Sequence, residues 1–241
     1  GVQTCALPIS PVGQVTSYHD QSDSSGCPQN HPDQQGVTAF VHHFALHGMR
    51  VLEVGAPTGA LQDIVENYQA VVANDGVAKC FHKPALTGGV THLPFADNEF
   101  DAIWSKDLLE HSSNPEQTLS EMRRVLKNGG LLYLYPIWQT RAWHADGYAV
   151  RPYSELDLKG KIIKASIPIR DSVAFRSLYT FPIRLLRLLS YKWVRQPTSF
   201  RYNALTPNFE HSWHPDSDAL NSADPYEAIL WFTRDRKSTR L

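Results

Sequence analysis

The sequence predicts an open α/β sandwich on a mostly parallel sheet, and two observations predict it. Short apolar runs that read as strands alternate with stretches whose apolar residues recur at helical spacing. The first run, Arg50–Val54, leads through a glycine turn into the next helical pattern. Strands separated by helices need crossover connections, which make them parallel and cover both sheet faces. The ligand crevice of such a sheet lies outside the carboxyl ends of the first strands, where the strand order reverses.

The elements follow in order. Residues 11–34 are polar and without period, which predicts a linker or disordered arm. Val37, Phe40, Val41 and Phe44 predict a helix, with Gly48 as its left-handed cap. After the first strand, Leu61, Ile64, Val65 and Tyr68 predict one face of a helix, and Ala70–Asp75 a second strand ending in an acid. Phe100–Ser105 and Leu131–Tyr135 read as further strands; between them Asn114 suits a helix cap, Pro115 the first helical position and Gly129 the helix end. Thr180–Trp193 predicts an amphipathic helix capped by Thr180. Tyr226–Phe232 reads as a late strand, with residues 208–214 able to pair with it.

With 241 residues, 42% of them hydrophobic, the chain can bury a full core, and one domain over 35–234 is expected. No apolar run approaches the ~18 residues of a membrane span and the start lacks a signal-peptide pattern, so a cytoplasmic protein is expected. Residues 138–201 hold 12 Lys and Arg against 4 Asp and Glu, a local excess of +8 in a chain of net charge −1. A partner of opposite sign belongs there. A codon string for Gln3–Ile9, read on the opposite strand, translates as Asp235–Leu241. Both ends therefore resemble a short-read sequencing adapter, and a metagenomic fragment near residues 11–234 is expected. Cys27 and Cys80 then remain, without metal-type spacing.

The chemistry concentrates at three places. Glu53-x-Gly55-x-x-x-Gly59 sits between a strand and a helix start, where backbone N–H groups face a ligand. The spacing is not the G-x-G-x-x-G of dinucleotide folds. Pro57 removes one N–H from this loop and holds Ala56 extended, which predicts an altered but usable loop. Asp75 follows Gly55 by 20 residues, an offset at which an acid can accept from both ribose hydroxyls; its other reading is a turn residue in Asn74-Asp75-Gly76. The third element runs from Leu93-Pro94-Phe95-x-Asp97-x-x-Phe100-Asp101 through Leu109-Glu110-His111 to Glu121-x-x-Arg124-Val125-Leu126-Lys127-x-Gly129-Gly130.

These residues together resemble the class I S-adenosylmethionine-dependent methyltransferases of type 11. The resemblance implies a Rossmann-like three-layer sandwich with a seven-stranded sheet, order 3-2-1-4-5-7-6, the last strand antiparallel. It implies S-adenosylmethionine as cofactor, with Glu53 and Gly55 near its methionine moiety and Ala56 and Gly59 completing the loop. It places Asp75 at the ribose, Val90 and Leu93 beside adenine, and Ser105 to Asp107 facing the sulfonium and its methyl group. Two departures stand out: Pro57 replaces a usual glycine, and Gly89 an acid that contacts the adenine amino group.

Methyl transfer to a small-molecule acceptor is the function the resemblance implies, with the basic segment 138–201 shaping the acceptor pocket. Alignment of an in-line displacement supplies much of its rate. Asp107, Glu110 and His111 are candidates to deprotonate the acceptor, and a packing role is the other reading of Glu110 and His111. Two alternatives stay open: a non-catalytic module of the same fold, and a peripheral protein that rests residues 180–195, with Arg184, Arg187, Lys192 and Arg195, on an anionic membrane. His214, Asp216 and Asp218 would share one face of a strand; an exposed polar strand end is expected there and no metal.

Overall fold

The computed structural model describes residues 34–233 apart from 56–60, 62–63, 73–84, 88, 194–198 and 215. Five strands form one parallel sheet in the order β3-β2-β1-β4-β5: β1 Arg50–Gly55, β2 Asn67–Val72, β3 Ala85–Thr87, β4 Phe100–Lys106 and β5 Leu126–Tyr135. The chain steps outward from β1 to β3, then returns to lay β4 against the other side of β1. The strand order therefore reverses between β1 and β4, as in doubly wound sheets. This is a Rossmann-like sheet.

Helix α1, Gln34–His43, packs Val37 and Val41 against Val51, Ala102 and Trp104. Trp104 of β4 stacks on Tyr133 of β5 at 3.8 Å, and Phe40 meets Trp104 edge-on at 5.0 Å. Helix α2, Pro115–Val125, starts as expected, with the Gln117 N–H donating to Asn114 Oδ1 at 3.2 Å. Its Leu119, Met122 and Val125 are buried.

The described residues fall into two compact units: 34–108 with 118–135 holds the sheet, and 109–117 with 136–233 holds the rest. The second unit contains α3 Leu158–Asp171, a short helical turn Val173–Phe175, a π-helical turn Arg176–Thr180, α4 Phe181–Trp193 and α5 Pro225–Thr233. Its strands β6 Tyr202–Ala204 and β7 Asn221–Ala223 pair antiparallel as a sheet of their own.

Several local expectations are corrected. Tyr68 lies on β2, which begins three residues before the expected strand; Leu61, Val65 and Tyr68 are all buried in one cluster, so their spacing reports a shared core rather than one helix. Helix α1 ends before Gly48: Ala45 takes the left-handed conformation (φ 50°) and the Leu46 N–H reaches back to Val41 O, a Schellman closure. Gly129 lies within β5 rather than at a helix end. Thr180 caps nothing, because the π turn runs directly into α4, and Ser172 and Asp157 cap the helical turns upstream.

Tyr226–Phe232 forms α5, not a strand, and residues 208–214 have no strand there to pair with. The cause is written just before it: Asp224 accepts the Tyr226 N–H at 2.9 Å, Pro225 opens the helix and Glu227 occupies its first turn. Among the described residues, the sixth and seventh positions of the expected sheet order are unfilled.

Candidate active site

Strand alternation places Val51, Glu53 and Gly55 on one side of β1, and parallel register sets Val54 beside Ser105 and Gly55 beside Lys106. Glu53 and Gly55 thus share one face near the carboxyl end of β1, while Ser105, paired with Val54, lies on the opposite face near the end of β4. Glu53 is 2% exposed, and the Tyr68 hydroxyl donates to its Oε2 at 2.6 Å. A buried carboxylate needs such donors, since leaving one unmet costs more than the bond itself returns.

Gly55 closes β1 with φ +121°, a conformation that L side chains rarely adopt. A Cβ here would also meet the Leu108 Cβ at 2.8 Å and Lys106 O at 3.3 Å. Glycine is therefore required here, by its positive φ and by the close packing of Leu108. Ser105 is 1% exposed and its Oγ has no hydrogen-bond partner among the described residues. A buried hydroxyl of this kind needs a partner that the described residues do not supply.

The motif residues that follow do structural work. Arg124 of α2 donates to Leu93 O at 2.8 Å, to Phe95 O at 2.7 Å and to Asp97 Oδ1 at 2.8 Å, while gripping Glu121. Glu121 in turn accepts the Leu93 N–H at 3.0 Å. Lys127 reaches Asp101 at 2.7 Å. The two halves of the sequence motif are one clamp that fixes the 93–99 loop to α2 and the start of β4 to β5. Leu93 is buried under that clamp, and Val90 sits half-buried beside a turn in which the His92 N–H reaches Gly89 O. Space is open at Gly89: a Cβ there would find its nearest neighbour, Thr91 Oγ1, 3.9 Å away.

The three acid–base candidates divide. Asp107 follows β4 in a left-handed conformation (φ 47°), its N–H on Tyr135 O and its Oδ2 3.9 Å from Lys106 Nζ. Glu110 and His111 fall in the second unit. Glu110 is buried, accepts the Ile137 N–H at 3.0 Å, and offers its backbone oxygen to the Leu220 N–H at 2.8 Å. That is an anchoring role. His111 is part-exposed, with Nδ1 3.8 Å from Asp218. Ala56, Pro57, Gly59 and Asp75 lie outside the described residues, as do Cys80 and His82.

The basic segment is less free than its count implies. Arg184 donates to Asp224 through Nε at 3.0 Å, and Arg187 to Glu227 at 3.1 Å. Reading α5 as a strand hid both carboxylates as partners. Leu185 and Leu189 stay exposed, at 43% and 44%. No helix among the described residues is long and apolar enough to cross a membrane.

Comparison with known proteins fits this geometry. Residues 52–134 match the family described as "Methyltransferase domain". This stretch is a methyltransferase domain. Its match makes S-adenosylmethionine the cofactor of the domain, and Glu53, oriented by Tyr68, with Gly55 at the end of β1 are the described residues that would hold it. The chain is 39% identical over 142 residues to a malonyl-[acyl-carrier protein] O-methyltransferase of Coxiella burnetii, covering 53% of this chain and 50% of that protein. It is 38% identical over 97 residues to a demethylmenaquinone methyltransferase of Renibacterium salmoninarum, covering 36% of this chain and 41% of that protein. The chain thus spans half or less of these relatives. The YcgJ protein of Bacillus subtilis superposes with a TM-score of 0.39 at 23% identity, over 43% of this chain and 51% of that one; the fold rests instead on the strand order of the methyltransferase domain itself.

Proposed function

We propose that this protein transfers a methyl group from S-adenosylmethionine to a small-molecule acceptor. The observation that carries the reading is the buried Glu53, held by Tyr68, followed by the positive-φ Gly55 at the end of β1, beside the strand-order reversal. When bound, the cofactor would supply an electrophilic methyl group whose in-line transfer to an acceptor lone pair releases the neutral thioether. The protein's contribution is then placement. Gly55 lets main chain approach the ligand, Glu53 held by Tyr68 accepts from its amino group, and Ser105 offers its hydroxyl beside the methionine portion. Val90 and Leu93 border the adenine, on a loop that Arg124 keeps rigid. Asp75 is assigned the ribose by its offset alone. Asp107, at the strand end and part-exposed, is the proposed acceptor-side carboxylate.

Alignment of this kind can supply several kcal/mol of the barrier, on the order of 7–11 in well-oriented systems, without a strong general base. The two relatives' names state an acyl-carrier-bound malonyl group and a demethylmenaquinone as their substrates. Both are non-protein groups, which supports the small-molecule class and leaves the methylated atom unassigned. Equilibrium dialysis with labelled S-adenosylmethionine tests the reading. Saturable binding that weakens in Glu53→Gln supports it; no binding at millimolar ligand overturns it.

A further inference from the structure

We infer that His144, His214 and Asp216 form a site for a divalent transition-metal ion of the zinc class. One ligand atom from each residue lies within 4.8 Å of the other two, and all three belong to the second unit. The His144 Nδ1 is 3.2 Å from Asp216 Oδ2, and the His214 Nδ1 is 3.6 Å from Asp216 Oδ1. A tetrahedral zinc with bonds near 2.0–2.2 Å holds neighbouring ligand atoms ~3.4 Å apart. The two distances bracket that value, each to a different oxygen of the carboxylate. The imidazoles stack at 4.0 Å with 17° between their planes, and each Nδ1 lies near one oxygen of the same carboxylate. Two histidines and one carboxylate are a common protein set for zinc, with water completing the tetrahedron.

The cluster is held by groups outside it. His214 and Ser217 lock a turn reciprocally: the His214 N–H donates to Ser217 Oγ at 2.9 Å, and the Ser217 N–H returns to His214 O at 2.9 Å. The same Ser217 hydroxyl lies 3.4 Å from His144 O, tying the 144 turn to the 214 turn. Asn208 repeats the tie, donating from Nδ2 to Ala145 O at 2.9 Å and from its N–H to Ser217 O at 2.7 Å. Gly147 (φ +68°) lets these turns close, since a Cβ there would strike the Trp213 ring at 2.5 Å. Supports of this kind orient ligands before the ion arrives. Asp216 is 7% exposed. A carboxylate so buried, facing two imidazoles, is a poor surface ornament and a good anionic ligand.

The test uses the full chain dialysed against a chelator and then titrated with Zn²⁺ and, for its spectrum, Co²⁺. One ion per chain is expected, with visible cobalt bands of four-coordinate intensity. Asp216→Asn and the double variant His144→Ala/His214→Ala should each lose more than ~100-fold in affinity, and Ser217→Ala about 10-fold, as outer supports do. Circular dichroism of the metal-free variants checks that they fold. Should a variant not fold, the wild-type cobalt spectrum decides: weak octahedral bands overturn the assignment. It is equally overturned if the wild type binds no stoichiometric ion, or if a folded double variant binds as tightly as wild type.

Discussion

The Tyr68 hydroxyl on β2 donates at 2.6 Å to Glu53 Oε2 on β1, joining two side chains that are each 2% exposed. Tyr68→Phe keeps the ring and removes this donor. It is expected to lower stability by about 1–3 kcal/mol, the cost of a buried acceptor deprived of a partner, and to weaken S-adenosylmethionine by loosening Glu53. Urea unfolding of the variant checks the first part. A loss under ~0.3 kcal/mol would show that the bond does not hold the carboxylate.

Gly89→Asp should tighten the cofactor. The position has room for a side chain, its nearest neighbour being 3.9 Å from a built Cβ, so packing does not forbid an acid there. The family's usual acid at this place accepts from the adenine amino group, and regaining a charged hydrogen bond is worth about 1.5–3 kcal/mol, tenfold or more in Kd. Calorimetry of the variant against wild type measures it. Unchanged affinity would mean that the adenine lies elsewhere.

Much of this geometry was legible in the sequence, and the failures have physical causes. β1 and β4 read as strands because parallel strands buried on both faces are continuous apolar runs, and Asn114-Pro115 announced α2 by its cap. Tyr68 misled because residues buried in one cluster can share helical spacing while the chain turns between them. Tyr226–Phe232 misled because its aromatic and branched residues suit a strand, yet the Asp224-Pro225 start prevails. Tyr68 as the partner of Glu53, and His144 beside His214, were not legible at all. Their partners are 15 and 70 residues away, and only tertiary structure brings such pairs together.

Two ion pairs of the second unit should differ in worth. Arg187–Glu227, at 3.1 Å, leaves both side chains 14% exposed, whereas Arg141–Asp171, at 3.5 Å, leaves them 33% and 43% exposed. Glu227→Gln is expected to cost about 1–3 kcal/mol, since it strips a charge partner from a largely buried guanidinium. Asp171→Asn should cost under ~0.5 kcal/mol, as exposed pairs do. Chemical denaturation of the two variants ranks them, and equal losses would contradict the burial argument.

Stability should fall in two stages on acidification. Burial, then His144, hold His214 below the ordinary 6.5, so the unfolded chain binds the extra proton; that contribution is present above pH 6.5 and lost as pH falls through the folded value. The Arg124 hydrogen bond outweighs burial to hold Glu121 below the ordinary 4.5. Burial raises Asp101, but Lys127 and Arg50 together hold it below the ordinary 3.8. Those contributions are present above the ordinary values and lost at lower pH. Urea midpoints in chelator at pH 7.5, 5.5 and 3.5 should decline at each step. A flat response between the first two contradicts the His214 assignment.

The most direct test of the central claim is thermal melting with and without S-adenosylmethionine, on wild type and on Gly55→Ala. The claim is that main chain at the end of β1, at the positive-φ Gly55, cradles the cofactor. Ligand at 100 times its Kd should stabilise the wild type by ~2.7 kcal/mol and leave a folded Gly55→Ala variant unshifted. No shift in the wild type at millimolar ligand, or an equal shift in both proteins, would contradict it.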